Sequence, residues 1–251
     1  MVLLDAITGI KTSILSGHSD SVDSLELSLD GTMLISRNQD NTVNLWDLQT
    51  GAVIRSFGDD TEDVSAAPIS PNGITIALAT KGSMIHLWNI QTRKYHYFQI
   101  TPDGVITDIC FSPIDSRHLN STLTNRNVQL WDIDGHRIGN SYHDAYQLYH
   151  LAYASNGTRF VSSGGEVAAV RDSEDGALAV KLDAPGLDGL RQCCFSPDGR
   201  FVVSVQLLIP HTPGTSPFLE VASSGAWTNT PVAFSSSLFP PPSFRDPTID
   251  P

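Results

Sequence analysis

Short runs in which apolar and polar residues alternate, each closed by a turn signal, recur along most of this chain. LELSLDG, APISPNG, CFSPID, AYASNG and CFSPDG each carry an apolar run into a turn, and TMLIS, ITIALAT and RFVVSV leave turns as β-rich runs. This order predicts strand, turn, strand, because period-2 alternation puts one face of a strand into a core and the turn residues reverse the chain. The turns stand at Asp30-Gly31, Asn72-Gly73, Ile114-Asp115, Asn156-Gly157 and Asp198-Gly199, each 42 residues after the one before. A fixed period of this length marks a chain built by repeating one supersecondary unit.

A third strand closes the first three units with an aromatic signature: NTVNLWDLQTG with Trp46, SMIHLWNIQTR with Trp88, and NVQLWDIDG with Trp131. A fourth strand follows each, as in AVIRSF at 52–57. Four antiparallel strands per unit, with Gly17-His18 opening one unit and Trp46-Asp47 closing its third strand, resemble the WD40 repeat of β-propellers. The resemblance covers residues 1 to about 205. It implies an all-β fold of four-stranded blades, with units near 1–16 (partial), 17–58, 59–98, 99–140, 141–183 and 184–205 (partial). MVLLDAITG aligns with VNLWDLQTG, Leu4 taking the Trp position, so the chain starts inside a blade and the ring is expected to be incomplete or open.

After RFVVSV the pattern stops. Nine of the fifteen prolines fall in the last 46 residues, and proline cannot donate to a sheet ladder. Residues 206–251 are therefore expected to form a Pro/Ser-rich disordered tail that supplies no strands, either as a partner-recruiting segment or as a sequence not shaped to pack with the propeller.

In the resembled family a blade is locked by a buried chain of Trp, Ser or Thr, His and Asp. The matching residues of the first full unit are His18, Ser36, Asp40 and Trp46. Trp88, Trp131, Asp47, Asp132 and His143 are further repeat-signature positions. The other units are expected to lack the network: Asp60 and Gly82 replace its His and Asp in the second, Asp103 and Asn125 in the third, and Arg171 stands for Trp in the fourth.

Composition narrows the function classes. A formal charge of −12 disfavours a nucleic-acid partner, since such affinity rests on Lys and Arg neutralising phosphates. No run of eighteen apolar residues and no signal-peptide pattern at the N-terminus argue against membrane spanning and secretion. Three cysteines, Cys110, Cys193 and Cys194, make a poor disulfide framework and fit an intracellular home, cytoplasmic or nuclear. The histidines show no metal-ligand spacing and no phosphate loop is present, so neither metal nor cofactor is expected. Cys110 and Cys194, at equivalent positions, are read as buried small hydrophobes with no histidine beside them. Asp23, Glu26 and Asp108 are isolated charges on innermost strands, too few for an enzyme site.

The family's loops before the first strand and between the second and third strands share one rim, the usual surface for peptide partners. Here the rim would hold Asp20, Arg37, Gln39, Asp59, Asp60, Asp63, Lys81, Asp103, Arg126 and Asp144, a mixture leaning acidic. The leading expectation is a non-enzymatic protein-interaction scaffold taking a basic peptide. The alternative is a fragment of a larger WD40-containing signalling protein, such as one with a nucleotide-binding domain. Open sheet edges would permit self-association.

Overall fold

The computed structural model describes residues 1–39, 42–58, 63–100, 104–144, 147–165, 167–183, 190–206 and 219–223. These residues form strands and turns, and among them no helix is long and apolar enough to cross a membrane. A two-stranded sheet comes first, β1 (Val2–Leu4) with β2 (Lys11–Ile14). Four-stranded antiparallel sheets follow: β3 (Val22–Leu27), β4 (Met33–Asn38), β5 (Val43–Asp47) and β6 (Val53–Phe57); β7 (Val64–Ala66), β8 (Thr75–Thr80), β9 (Met84–Asn89) and β10 (Tyr95–Gln99); β11 (Ile106–Phe111), β12 (His118–Leu123), β13 (Asn127–Asp132) and β14 (Arg137–His143); β15 (His150–Tyr153), β16 (Arg159–Gly164), β17 (Val167–Asp172) and β18 (Leu178–Asp183). The last sheet has three strands, β19 (Leu190–Phe195), β20 (Phe201–Gln206) and β21 (Leu219–Ser223).

A short motif builds the hairpin between the first two strands of a sheet. Ser28 Oγ donates to Asp30 Oδ1 at 2.6 Å and accepts from the Met33 amide at 2.9 Å, while Gly31 sits at φ +70°, open to glycine without strain. Ser70 with Asn72, and Ser196 with Asp198, repeat the arrangement. The turn is thus written locally in Ser-x-Asp/Asn-Gly.

The middle strands are the most buried. β8 is covered from Ile76 to Thr80 and β5 from Val43 to Trp46, whereas the outer strands β6 and β10 are mostly exposed. Sheets stacked on both sides produce this gradient, and it explains why the middle strands read as nearly continuous apolar runs. Apolar clusters fill the gaps between successive sheets: Ile35, Val43 and Leu45 against Val64, Ile76 and Leu78; Ala77, Ile85 and Leu87 against Ile109, Leu119 and Leu123; Val128 against Leu151 and Phe160; Val161 and Val170 against Cys193 and Val202.

The β21 strand corrects one expectation. Residues after Val205 were expected to supply no strand, yet five residue pairs, from Phe201↔Ser223 to Val205↔Leu219, join β21 to β20. The reason is compositional: LEVAS is free of proline, with Pro217 and Pro231 outside it, so every backbone amide in it can donate. The rest of the expected tail, 207–218 and 224–251, lies outside the described residues.

Among the described residues the array does not close into a ring through strand pairing: neither β1 nor β2 pairs with a strand of the β19–β21 sheet. The register shows what the opening leaves bare. Leu27 pairs with Leu34 and Leu34 with Trp46, so these three side chains share one face of their sheet. The first sheet covers the outer part of that face, packing Leu15 on Leu34 and Trp46. Over β3 no described residue stands to cover it, and Leu25 and Leu27 are 59% and 58% exposed.

Candidate functional site

Three of the four network residues named for the first full sheet meet in the structure. Trp46 Nε1 donates to Ser36 Oγ at 2.7 Å, and the same oxygen shares a 2.5 Å hydrogen bond with His18 Nε2. Asp40 lies outside the described residues. Thr42 Oγ1 stands 3.4 Å from His18 Nδ1, and the Asn44 amide also reaches the ring. Asp47 caps the following turn by accepting from the Thr50 amide, and Asp132 does the same for His136.

The other sheets do not all lack this network, which amends the sequence reading. Trp131 Nε1 donates to Ser121 Oγ at 2.9 Å, so the third keeps the Trp–Ser half. In the second, Leu78 occupies the Ser position and Trp88 packs edge-on against Phe57. The fourth uses different chemistry. Arg171, in the Trp position, donates from Nη2 to Asp144 Oδ1 at 2.7 Å, and Ser162 Oγ donates to Asp144 Oδ2 at 3.0 Å. Asp144 therefore takes the place of the network histidine. His143, read as that histidine, is exposed and bonds Asn127 Oδ1 instead.

The innermost strands bring together charges that are isolated in sequence. Asp23, Glu26, Arg37, Asp108, His150 and Gln192 line one cavity of about 390 Å³. Part of the convergence comes from a repeated β-bulge. The register slips between Val22 and Ser24, Val64 and Ala66, Ile106 and Asp108, and Leu190 and Gln192, inserting one extra residue each time. A bulge re-aims its side chain, and here it delivers Asp23 to Arg37.

Three of these side chains act as clips between neighbouring sheets. Glu26 Oε1 accepts from the Ile69 amide at 3.2 Å, Asp108 Oδ2 from the Leu151 amide at 2.9 Å, and His150 Nδ1 from the Cys193 amide at 3.3 Å. Arg37 ties the first two full sheets together: its Nε donates to Asp23 Oδ1 at 3.0 Å and its Nη1 to the Val64 and Ser65 carbonyls. The carboxyls of Glu26 and Asp108 are each pushed up to about 7, chiefly by loss of hydration among the inner strands, and the Asp108 charge adds to the shift on Glu26.

The sign of that shift gives a pH prediction. A carboxyl whose folded value lies above its ordinary one is penalised for ionising, so its contribution to stability is most favourable near pH 4, falls as pH rises, and levels above pH 7. Asp108 faces Glu26, Arg37 and His150, and His150 opposes the trend because burial lowers its own value. Asp108→Asn isolates the carboxyl while keeping an acceptor for Leu151. The variant is expected to gain on the wild type by about 2 kcal/mol between pH 5 and pH 8 in urea-unfolding midpoints. A difference that is flat with pH would refute it.

Cys193 and His150 meet at 3.5 Å, a neighbour the sequence reading did not find for the cysteines. The pair is not an activated nucleophile: burial pushes the Cys193 thiol up to about 12 and the His150 imidazolium down, so both stay neutral. Cys194, expected to be buried, is exposed, and Cys110 is half-buried.

The rim residues divide. Arg37 is committed to the inter-sheet clip, and Asp144 to Arg171. Lys81 Nζ pairs with Asp63 Oδ2 at 2.8 Å in the open, and Gln39, Arg126 and Asp20 are exposed. Asp59, Asp60 and Asp103 lie outside the described residues. Lys81→Met should change stability by less than about 1 kcal/mol, since exposed pairs are screened by water; a larger loss on urea unfolding would make the pair structural.

The family model described as WD domain, G-beta repeat matches residues 9–47. WD repeat-containing protein 89 homolog of Dictyostelium discoideum is 29% identical over 123 residues, 49% of this chain and 33% of that protein. Protein LST8 homolog of Drosophila melanogaster is 26% identical over 118 residues, 47% of this chain and 37% of the relative. The guanine nucleotide-binding protein subunit beta of Arabidopsis thaliana is 28% identical over 142 residues, 52% of this chain and 38% of the relative. The chain thus spans about a third of the length of these relatives.

Proposed function

Taking the chain as an array of WD40-like blades, we propose that it is a non-enzymatic scaffold for protein interaction, receiving a basic peptide segment at the mouth of its central cavity. The observation that carries this reading is the inner lining itself, where Asp23, Glu26 and Asp108 face a cavity of about 390 Å³. A lysine or arginine entering there would stabilise the ionised carboxylates of Glu26 and Asp108 and lower the raised values of these two groups. The Arabidopsis relative is by its name a subunit of a larger assembly, in keeping with such a role. Fluorescence-labelled basic and acidic peptides titrated against the full chain test it. Basic peptides are expected to bind with proton release and more tightly at pH 8 than at pH 6, and failure of every basic peptide would overturn the reading.

A second reading, association through the open face, is favoured by the exposed Leu25 and Leu27. Apolar residues on a strand in this position belong under a neighbouring sheet. Light scattering should give a mass above the monomer for the full chain, and Leu25→Ser with Leu27→Ser should return it to the monomer. A monomeric wild type would exclude self-association.

A further inference from the structure

The outer edges of the four-stranded sheets are not alike. β6, β14 and β18 each slip register against their neighbours, between Leu45 and Trp46, Val128 and Leu130, and Val170 and Arg171, and each carries a Lys or Arg. Bulges and charges are the usual guards of an edge strand against pairing with another chain. β10 has neither. YHYFQ holds no Lys, Arg, Asp, Glu, Pro or Gly, and it pairs straight with β9 from Tyr95↔Trp88 to Gln99↔Met84. Its far edge meets no described strand. The Lys94 carbonyl accepts from the Asn89 amide, and the Ile100 amide donates to the Ser83 carbonyl. Antiparallel bonding alternates along a strand, so the even-numbered residues of β10 face β9, and Tyr95, Tyr97 and Gln99 turn their amides and carbonyls to the open edge.

Two further features select what pairs there. Residues 64–102, which span this sheet, contain no Asp or Glu, in a chain with 27 of them. Arg93 and Lys94 are exposed in the loop that leads into β10, and the Arg55 guanidinium lies 5.3 Å from the Trp88 ring centre. None of these three cations forms an ion pair with a described residue. Tyr95 and Tyr97 are 49% and 61% exposed, and with His86 they form one patch of rings on the face that carries Trp88, with ring centres 5.5–6.1 Å apart.

We propose that β10 is a docking edge for an extended acidic segment of a partner protein, which adds to this sheet as a further antiparallel strand. The amides and carbonyls of Tyr95, Tyr97 and Gln99 supply the ladder, and alternate apolar side chains of the segment lie across the two tyrosines. Acidic residues beyond them reach Arg93 and Lys94. Because β10 starts beside those two cations, the antiparallel direction places the acids at the C-terminal end of the segment. The edge is separate from the inner cavity, since β10 and β7 are the opposite ends of the sheet.

A fluorescein-labelled peptide, Val-Thr-Val-Thr-Val-Glu-Glu-Glu, is titrated into the full chain and followed by anisotropy. The reversed peptide and one ending in three serines are the controls. Saturable binding at least tenfold tighter than either control is expected, with slowed hydrogen exchange at the Tyr97 amide. Tyr97→Pro removes one outward amide and leaves the β9 ladder its donors, whereas Tyr97→Thr keeps the amide. Arg93→Glu with Lys94→Glu reverses the charge in an exposed loop, so it carries the test if the proline variant melts early. The proline and charge variants should each lose at least tenfold in affinity, and the threonine variant less. No binding, equal binding of a control, unchanged affinity in a folded variant, or an unprotected Tyr97 amide would overturn the proposal. So would binding of oligothymidylate in place of the peptide, which assigns the patch to nucleic acid, or concentration-dependent protection of Tyr97 without peptide, which assigns the edge to a second copy.

Discussion

Asp144→Ala is expected to destabilise the protein by about 3–5 kcal/mol, because it strands a guanidinium that has little access to water. The Arg171 and Asp144 side chains are only 10% and 13% exposed, and their 2.7 Å contact is the one ion pair of Arg171 among the described residues. Tyr142 lies over the guanidinium with its ring centre 5.8 Å away, adding a weaker attraction that cannot replace a carboxylate. Urea unfolding followed by circular dichroism measures the loss, and hydrogen exchange should find it concentrated in β14 to β17. Asp144→Leu with Arg171→Met removes both charges and should recover most of the stability, since a buried pair gains little over apolar groups of similar size. A single substitution costing under about 1 kcal/mol would show that water reaches the site.

The second large effect is expected at Trp46. Its ring has no exposed surface, packs against Leu15 and Leu34, and donates to Ser36. Trp46→Ala removes that apolar contact, leaves a cavity between the first two sheets, and deprives Ser36 of a donor, for about 3–5 kcal/mol in all. Trp46→Phe keeps most of the packing and loses the hydrogen bond, so it should cost clearly less. Denaturation of the two variants side by side separates the terms, and equal losses would place the whole effect in the N–H group. Trp88, with Leu78 in place of the serine, is the internal control, because its phenylalanine variant has no such hydrogen bond to lose.

The repeat was legible because its signals are local. Ser28, Asp30 and Gly31 make their turn with residues no more than five positions away, and the same letters 42 residues apart make the same turn again. The alternation of β3 and the apolar density of β8 follow from which faces are covered, a property each strand carries in its own composition. Trp46, Ser36 and His18 were legible for a different reason: they match a known network residue by residue.

The inner cavity was not legible in that way. Glu26 and Asp108 stand on sheets with one whole sheet, β7 to β10, between them along the chain, and only stacking brings them into electrostatic reach. One signal was available. Counting by the 42-residue period puts Ser24, Ala66, Asp108, His150 and Gln192 at one height on successive inner strands, so Asp108 and His150 could have been expected as neighbours. The bulges that re-aim Asp23 have no letter of their own. Arg171 was visible as a departure from the signature, but its partner was not: His143 carries the expected residue type, whereas Asp144 has the position and the charge that a guanidinium needs.

Strand order within each four-stranded sheet, turn chemistry, repeat length and the middle-strand core were determined by the sequence alone, since each depends on neighbours within one hairpin or on the polarity of a strand's own two faces. Tertiary structure decided which carboxyls lose their water, which arginines are clips and not rim charges, and that β20 gains the backbone of β21 as its neighbour. Those outcomes depend on groups from different sheets meeting at fixed distances. No local pattern encodes a distance between residues tens of positions apart until the sheets are stacked.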